Sequence, residues 1–257
     1  MVKISINGFG RIGRVAFRVA LEKHKEDLRV VAINTSGSMP ASGWAYMLKY
    51  DSVYGPFSKE IKVEEKGKMD GEIGALIIEN IRYPVLCERD PAKIPWGSYG
   101  ADIVIESTGV FTSEDKAKGH FTGGAKRVVI SGPETGGNIG TFIVGVNQEK
   151  YEGQQIISNA SCTTNCIAPI AQIMLQNFGI KRAMMTTIHS YTATQELVDG
   201  SGDDMRRARA AAVNIVPAGS GATGATAKAI PQLSGIFDGV AFRVPVINGS
   251  VADFTIL

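Results

Sequence analysis

Val2-Lys3-Ile4-Ser5-Ile6-Asn7-Gly8-Phe9-Gly10-Arg11-Ile12-Gly13 is the stretch that decides the fold. The run from Val2 to Asn7 has the length and apolar content of a buried strand, and the glycines after it break that strand. Beyond them Val15, Phe17, Val19, Ala20 and Leu21 recur at helical spacing, and Leu28 to Asn34 reads as a second buried strand. Strand, glycine turn, helix and strand make a βαβ unit. In that setting the G-x-G-x-x-G spacing allows a tight turn, close approach of the backbone to a pyrophosphate and packing of helix on strand. The helix N-terminus adds free N–H donors for the phosphates.

Further strands are predicted at Ile103 to Glu106, Arg127 to Ser131 and Phe142 to Val146. Together they predict an α/β chain: a Rossmann-type doubly wound parallel sheet over residues 1–160, followed by an α+β catalytic domain over 161–257 that is incomplete at its C-terminus. Lys59 to Ile81 reads as a peripheral hairpin. Ligands in such sheets sit at the carboxyl ends of strands, so Ser107-Thr108-Gly109 and Ser131-Gly132-Pro133 are candidate crevice walls, although turn chemistry alone also explains them. The second strand ends in Ile33-Asn34-Thr35-Ser36-Gly37-Ser38, where such folds usually carry a carboxylate for the ribose hydroxyls. No carboxylate stands there to repel a 2′-phosphate, and three hydroxyls could donate to one. Asn34 and Thr35 are thus candidate contacts in a site that favours NADP over NAD. An ordinary polar loop that tolerates either cofactor is the alternative.

Composition excludes several classes of function. A net charge of +2, with basic residues spread along 257 residues, leaves no footprint for nucleic acid or an anionic membrane. Hydrophobic residues make up 44% of the chain, enough for a sizeable core, yet no apolar run approaches the length of a membrane span. Three cysteines, an odd number, in a chain with no apolar signal region fit a reducing cytoplasm. No metal site is assigned.

Ile157-Ser158-Asn159-Ala160-Ser161-Cys162-Thr163-Thr164-Asn165-Cys166 carries the chemistry. Ser161 is a plausible N-cap, and the apolar run Ile167, Ile170, Ile173, Met174 and Phe178, closed by Gly179, predicts a helix that starts at Cys162. Free N–H groups and the positive end of the helix favour a thiolate there, with Cys166 one turn on and Cys87 inert. Of three histidines, His24 and His120 fall in helical stretches read as exposed, whereas His189 ends a strand, Arg182 to His189, and is the candidate base. A thiolate beside a hydride acceptor suggests addition to an aldehyde, loss of hydride from the hemithioacetal and a thioester left for an acyl acceptor. Ser161, Thr163, the Ser220-Gly221 turn, Arg207 and Arg243 are anion-binding groups, so phosphate is the expected acceptor. Each arginine could equally be a surface ion-pair partner. Ser190 to Pro217 is a long basic segment, functional or an interface.

Five stretches resemble the signatures of glyceraldehyde-3-phosphate dehydrogenase: Asn7-Gly8-Phe9-Gly10-Arg11-Ile12-Gly13-Arg14, Leu48-Lys49-Tyr50-Asp51-Ser52, Glu88-Arg89-Asp90-Pro91, the Ser158 to Cys166 run and Phe242-Arg243-Val244-Pro245. The resemblance implies Cys162 as nucleophile and His189 as base. It implies one phosphate site from Ser161, Thr163, Ser220 and Gly221, another from Thr192 and Arg243, and Arg207 near both. It also implies a cofactor held by Asn7, Gly8, Phe9, Gly10, Arg11, Ile12 and Gly13, with Asn34, Thr35, Arg89, Thr108 and Gly109 around the adenosine half and Ser131 toward the nicotinamide. Substrates would be glyceraldehyde 3-phosphate and inorganic phosphate, in a cytoplasmic homotetramer. Thr35, where NAD-specific members carry aspartate, and Gly200-Ser201, where they often carry Leu-Pro, agree with NADP or dual use. Ser220 replaces the usual threonine and Gly224 the usual lysine. Family members continue beyond Leu257, so the chain is expected to be a fragment or inactive alone. Erythrose-4-phosphate dehydrogenase, a semialdehyde dehydrogenase and a binding-only module are the alternative readings.

Overall fold

In the computed structural model, which describes residues 1–69, 71–202 and 204–257, the chain forms two compact units, one of residues 1–140 and 152–159 and one of 141–151 and 160–257. Asp70, within the expected hairpin, and Asp203, within the expected basic segment, lie outside the described residues.

In the first unit β1 (Val2–Asn7), α1 (Arg11–Lys23) and β2 (Leu28–Asn34) form the expected βαβ unit, with the two strands parallel. Two close approaches explain its glycines. Gly8 has φ 93°, and a Cβ on Gly13 would lie 2.0 Å from the Gly8 carbonyl oxygen, so only glycine lets the helix start this close to the strand. After α2 (Ala41–Lys49), the strands β3 (Lys62–Met69), β4 (Glu72–Ile78) and β5 (Ile81–Leu86) run antiparallel, and β5 returns to pair in parallel with β2. The hairpin expected over Lys59 to Ile81 is therefore part of the main sheet, because Ile73, Ala75, Leu76 and Ile78 are buried. β6 (Ile103–Glu106) crosses to the other side of β1. The short helices α3 (Glu114–Ala117) and α4 (Gly119–Thr122) lead to β7 (Arg127–Ile130), with β8 (Gly140–Thr141) and β9 (Ile156–Ser158) beyond. The strand order is β3-β4-β5-β2-β1-β6-β7-β9-β8.

The winding reverses between β1 and β6, whose carboxyl ends, Asn7 and Glu106, sit opposite each other. That is where a doubly wound sheet opens a ligand crevice. The strand expected over Phe142 to Val146 does not form. There the Asn147 side chain takes over the backbone groups, accepting from Ile143 N–H at 2.9 Å and donating to Thr141 O at 2.9 Å, which closes a turn.

In the second unit α5 (Cys162–Phe178) precedes β10 (Ala183–Ser190), and the described residues between Tyr191 and Ile215 form turns and irregular backbone before β11 (Val216–Gly219). The backbone of this segment bonds to itself, for example Glu196 N–H to Arg207 O at 3.2 Å and Ala211 N–H to Glu196 O at 3.0 Å. Then come α6 (Ala222–Ala229), β12 (Phe237–Val244) and β13 (Ser250–Ile256), in a sheet of order β11-β12-β10-β13. One face buries Met185, Phe237 and Ala241 with Ile167, Ala168, Ala171 and Ala225 of α5 and α6. The alternate residues Met184, Ile188, Val240, Phe242 and Val251 are exposed. Among the described residues, no helix is long and apolar enough to cross a membrane.

Phe17 is fully buried at the centre of the first unit, edge-on to Phe9 at 5.6 Å and to Tyr83 at 5.1 Å. Phe17→Ala should cost about 3–5 kcal/mol. Both tryptophans, Trp44 and Trp96, lie in this unit, so a denaturant titration followed by indole fluorescence should show its midpoint fall.

Candidate functional site

The chain leaves β9 and turns at Ala160, whose φ of 58° is left-handed backbone that costs a non-glycine residue about 1–2 kcal/mol. The turn sets Ser161 in extended conformation as the N-cap of α5, with Cys162 the first helical residue, as expected. Ser161 Oγ accepts from Thr164 N–H at 3.0 Å and lies 2.7 Å from Thr164 Oγ1. This hydroxyl, read from sequence as a phosphate contact, holds the helix start.

Register brings the base to the thiol. β10 pairs in parallel with β12 so that His189 lies beside Arg243, and antiparallel with β13 so that His189 also faces Ser250. His189 is 6% exposed, with Nε2 3.5 Å from Cys162 Sγ. Its Nδ1 is 2.6 Å from Ser190 O and 2.7 Å from an Arg243 guanidinium nitrogen. The two neighbours suit two proton positions. When Nδ1 carries the proton it donates to the carbonyl, and Nε2 can accept from the thiol. When Nε2 carries the proton it donates to the sulfur, and Arg243 donates to Nδ1.

The His189 hydrogen bond is the largest influence on Cys162 and lowers its thiol from the ordinary range to about 7, against partial desolvation; Thr163 adds smaller lowering contributions through its hydroxyl and backbone N–H. The thiol is exposed, as is Cys166 one turn on, and Cys87 is half-buried; all three are free. Thr163, Cys166, Thr187, Ser190, Asn248, Gly249, Ser250 and Ala252 line a cavity of about 250 Å³ with Cys162 and His189. Asn248, Gly249 and Ser250 carried no local sequence signal, because only the antiparallel pairing of β13 brings them here.

Of the other anion-binding candidates, Thr192, Arg207, Ser220, Gly221 and Arg243 lie outside that lining. Arg243 touches the imidazole from behind. Burial first, and then the charge of Arg207, holds its guanidinium below the usual arginine range, while Cys162 acts in the opposite direction. Among the described residues the Nε atoms of both arginines are buried without a hydrogen-bond partner, and Arg207 Nε lies 3.9 Å from an Asp204 carboxylate oxygen. Ser220 Oγ accepts from Ala222 N–H at 3.3 Å, Gly221 is the N-cap of α6, and Thr192 shares a 3.0 Å hydrogen bond with Thr194.

In the first unit a cavity of about 440 Å³ opens at the carboxyl ends of the strands. Asn7, Gly8, Phe9, Gly10, Asn34, Thr35, Arg89 and Thr108 line it as expected, together with Ser36, Trp44, Glu88, Ser107, Val110 and Phe111. Arg11, Ile12, Gly13, Gly109 and Ser131 do not. Gly13 serves helix packing, and the Arg11 side chain binds Asp51 at 2.9 and 3.2 Å. A Cβ at Gly10 would meet nothing within 4 Å, and no side chain caps α1, so the first turn of this 13-residue helix presents an open cradle to an anion. Among the described residues the buried indole N–H of Trp44 lacks a partner beside the same cavity. These features fit a dinucleotide. Thr35 differs from expectation: it is buried, and its hydroxyl donates to Leu86 O at 2.9 Å while accepting from Gly37 N–H. Among the described residues no group of three or more His, Cys, Asp or Glu side chains could hold a metal ion.

Comparison with known proteins places both halves. Residues 2–114 match the family model for the NAD binding domain of glyceraldehyde 3-phosphate dehydrogenase, and residues 161–257 match that for its C-terminal domain. Glyceraldehyde-3-phosphate dehydrogenase of Salmonella typhimurium is 47% identical over 256 residues, covering 99% of this chain and 73% of the relative. Glyceraldehyde-3-phosphate dehydrogenase 1 of Kluyveromyces lactis is 48% identical, covering 100% and 74%. The Streptomyces coelicolor enzyme of the same name is 47% identical, covering 99% and 73%.

A thiol lowered to about 7 is thiolate above that pH, so alkylation of Cys162 by iodoacetamide should slow as pH falls through about 7. His189→Asn removes the main cause, and the inflection should rise toward about 8.5. A pH series of alkylation rates, with Cys162 identified by peptide mass, measures both.

Proposed function

This chain belongs to the glyceraldehyde-3-phosphate dehydrogenase family, and we propose that it oxidises glyceraldehyde 3-phosphate, with a nicotinamide dinucleotide and inorganic phosphate, to 1,3-bisphosphoglycerate. The observation that carries this reading is the exposed Cys162 thiol, lowered to about 7 by an imidazole 3.5 Å away at the start of a helix. Residues 1–160 hold the cofactor and 161–257 carry the chemistry.

Cys162 Sγ adds to the aldehyde carbon, and the carbonyl oxygen takes up the charge. His189, its Nδ1–H held on the Ser190 carbonyl, takes the thiol proton on Nε2, gives it to that oxygen to form the hemithioacetal, and takes it back as the carbon is oxidised. A nicotinamide dinucleotide held along Asn7, Gly8, Phe9 and Gly10 would supply the two-electron oxidant for this carbon. A phosphate oxygen then attacks the thioester, the C–S bond breaks and Cys162 leaves as thiolate. Ser161, Thr163, Ser220 and Gly221 are assigned to the attacking phosphate, Thr192 and Arg243 to the substrate phosphate, and Arg207 to a position serving both. The Nε atoms of the two arginines, buried without a partner among the described residues, support an anion there.

The cofactor is assigned as NADP, or NADP and NAD alike. No carboxylate follows β2, and Ser36 and Arg89 in the cavity can meet a 2′-phosphate. The Thr35 hydroxyl is already engaged, and the Glu88 carboxylate in the same cavity opposes a second anion, which makes dual use the better-supported form. A homotetramer is also proposed. The outward sheet face of Met184, Ile188, Val240, Phe242 and Val251, with exposed Leu197, Val198, Met205, Val213 and Ile215 in the 190–217 segment, supports burial against further copies. Three free cysteines support a cytoplasmic setting.

Two measurements test this. Cys162→Ser should lower turnover of glyceraldehyde 3-phosphate by about three orders of magnitude or more, and turnover should require phosphate or arsenate. Equal rates with and without the oxyanion would instead indicate release of the thioester to water. Thr35→Asp should weaken NADPH relative to NADH by about tenfold, or about 1.4 kcal/mol, measured as the ratio of dissociation constants.

A further inference from the structure

His120, read from sequence as an exposed helical residue, is fully buried, and it binds a fully buried carboxylate that the proposed chemistry does not use. Glu106, at the end of β6, receives four donors. On Oε1 these are the Thr108 N–H at 2.8 Å and the Thr108 hydroxyl; on Oε2 they are Asn7 Nδ2 at 2.5 Å and His120 Nε2 at 3.0 Å. On the far side of the ring Trp96 Nε1 lies 3.0 Å from His120 Nδ1. An indole N–H can only donate, so Nδ1 accepts and the ring proton sits on Nε2, pointing at Glu106.

Past Asn7 the chain of bonds continues. Asn34 Nδ2 donates to Asn7 Oδ1 at 2.7 Å, and Asn34 Oδ1 accepts from Glu88 N–H at 3.0 Å. The donors from both directions converge on one carboxylate. This polar spine therefore ties together the carboxyl ends of β6, β1 and β2 and the residue two past β5, and four of its members, Asn7, Asn34, Glu88 and Thr108, line the first-unit cavity.

We propose that Glu106 and His120 are positioning residues for the dinucleotide cavity, a buried carboxylate–imidazole pair that holds Asn7, Asn34 and Thr108 in binding geometry. The proposal rests on reading that cavity as the cofactor site. Backbone ladders already join β1 to β2 and β6, so the strands do not need the pair to associate. A buried charge is costly to desolvate even when hydrogen-bonded, and is often no more stabilising than apolar residues of the same volume. What the spine adds is a fixed orientation for two asparagine amides and a threonine hydroxyl that would otherwise turn freely at strand ends.

The test uses the full chain and titration with NADH and NADPH. His120→Leu removes both polar contacts, and Glu106→Gln puts an amide N–H₂ among four donors; each should weaken dinucleotide binding by about tenfold or more. His120→Gln keeps an acceptor for Trp96 and a donor for Glu106, and its affinity should stay within about threefold of the parent. The alkylation rate of Cys162, chemistry of the other unit, should be unchanged in all three. In the parent protein, ¹⁵N shifts of His120 should show the Nε2–H tautomer. Tight binding by His120→Leu, or equal loss in the Gln and Leu variants, would overturn the positioning role, the latter by showing that ring packing alone matters. An Nδ1–H tautomer would overturn it also, and decides the matter should either non-conservative variant fail to fold. A parent chain that binds no dinucleotide would sink the functional reading, while the tautomer would still judge the spine.

Discussion

A cysteine can be open to substrate and ionised near neutral pH only when some neighbour other than bulk water stabilises its charge, and the 3.5 Å contact between Cys162 Sγ and His189 Nε2 meets that requirement. Much of the second unit is arranged around it. α5 must begin at Cys162, so the chain adopts a left-handed turn at Ala160 and uses the Ser161 hydroxyl as a cap. β10 must end beside that first turn, so Met185 and Thr187 face inward under the helices and carry His189 onto the same face. A slip of one residue would point the imidazole outward among Met184, Ile188 and Phe242, with no thiol in reach.

The first unit solves a different problem, that of presenting polar backbone and side-chain ends to a ligand without leaving them disordered. The reversal of winding at β1 and β6 creates the opening, and the approach of α1 through Gly8 and Gly13 brings helix N–H groups to its edge. Strand ends in such an opening lack ladder partners on one side. Here the Glu106 carboxylate gathers the donors of three neighbouring residues, and Asn34 links the next strand through Glu88, so polarity is organised from below while the cavity above stays open.

What the sequence disclosed and what it hid follow from the range of the interactions involved. The βαβ unit, the helix start at Cys162 and the strand that ends at His189 are local patterns, set by spacing along a dozen residues, and each stands in the structure within a residue or two of its expected position. Asn248 and Ser250 were invisible because only the pairing of β13 with β10 brings them to the thiol, and nothing in their own neighbourhood marks them. His120 was misplaced for the same reason. Its four-residue helix reads as polar surface, and only the distant Trp96 and Glu106 make a buried site for it. Thr35 shows a subtler limit. The absence of a carboxylate after β2 was legible, but the direction of the hydroxyl was not, since its acceptor is the carbonyl of Leu86 on another strand. At Phe142 to Val146 the apolar run promised a strand, and a single amide, Asn147, outcompeted it by supplying both backbone partners within six residues.

The same reasoning bears on the arginines behind the imidazole. The charge of Arg207 disfavours that of Arg243, both side chains are half-buried, and among the described residues Asp204 lies 3.9 Å from Arg207. Such a placement is unfavourable in the free protein, where each guanidinium keeps a buried Nε without a partner among the described residues. An anion of two or more charges seated between them would relieve the mutual repulsion and satisfy those donors together, so the unfavourable charge placement of the free protein becomes affinity for the anion. Arg243 also touches His189 Nδ1, which makes its position in the presence of an anion a determinant of which ring nitrogen carries the proton. On the proposed reading anion capture and acid–base chemistry would be joined in one side chain, and the site would favour aldehydes that bring a phosphate with them.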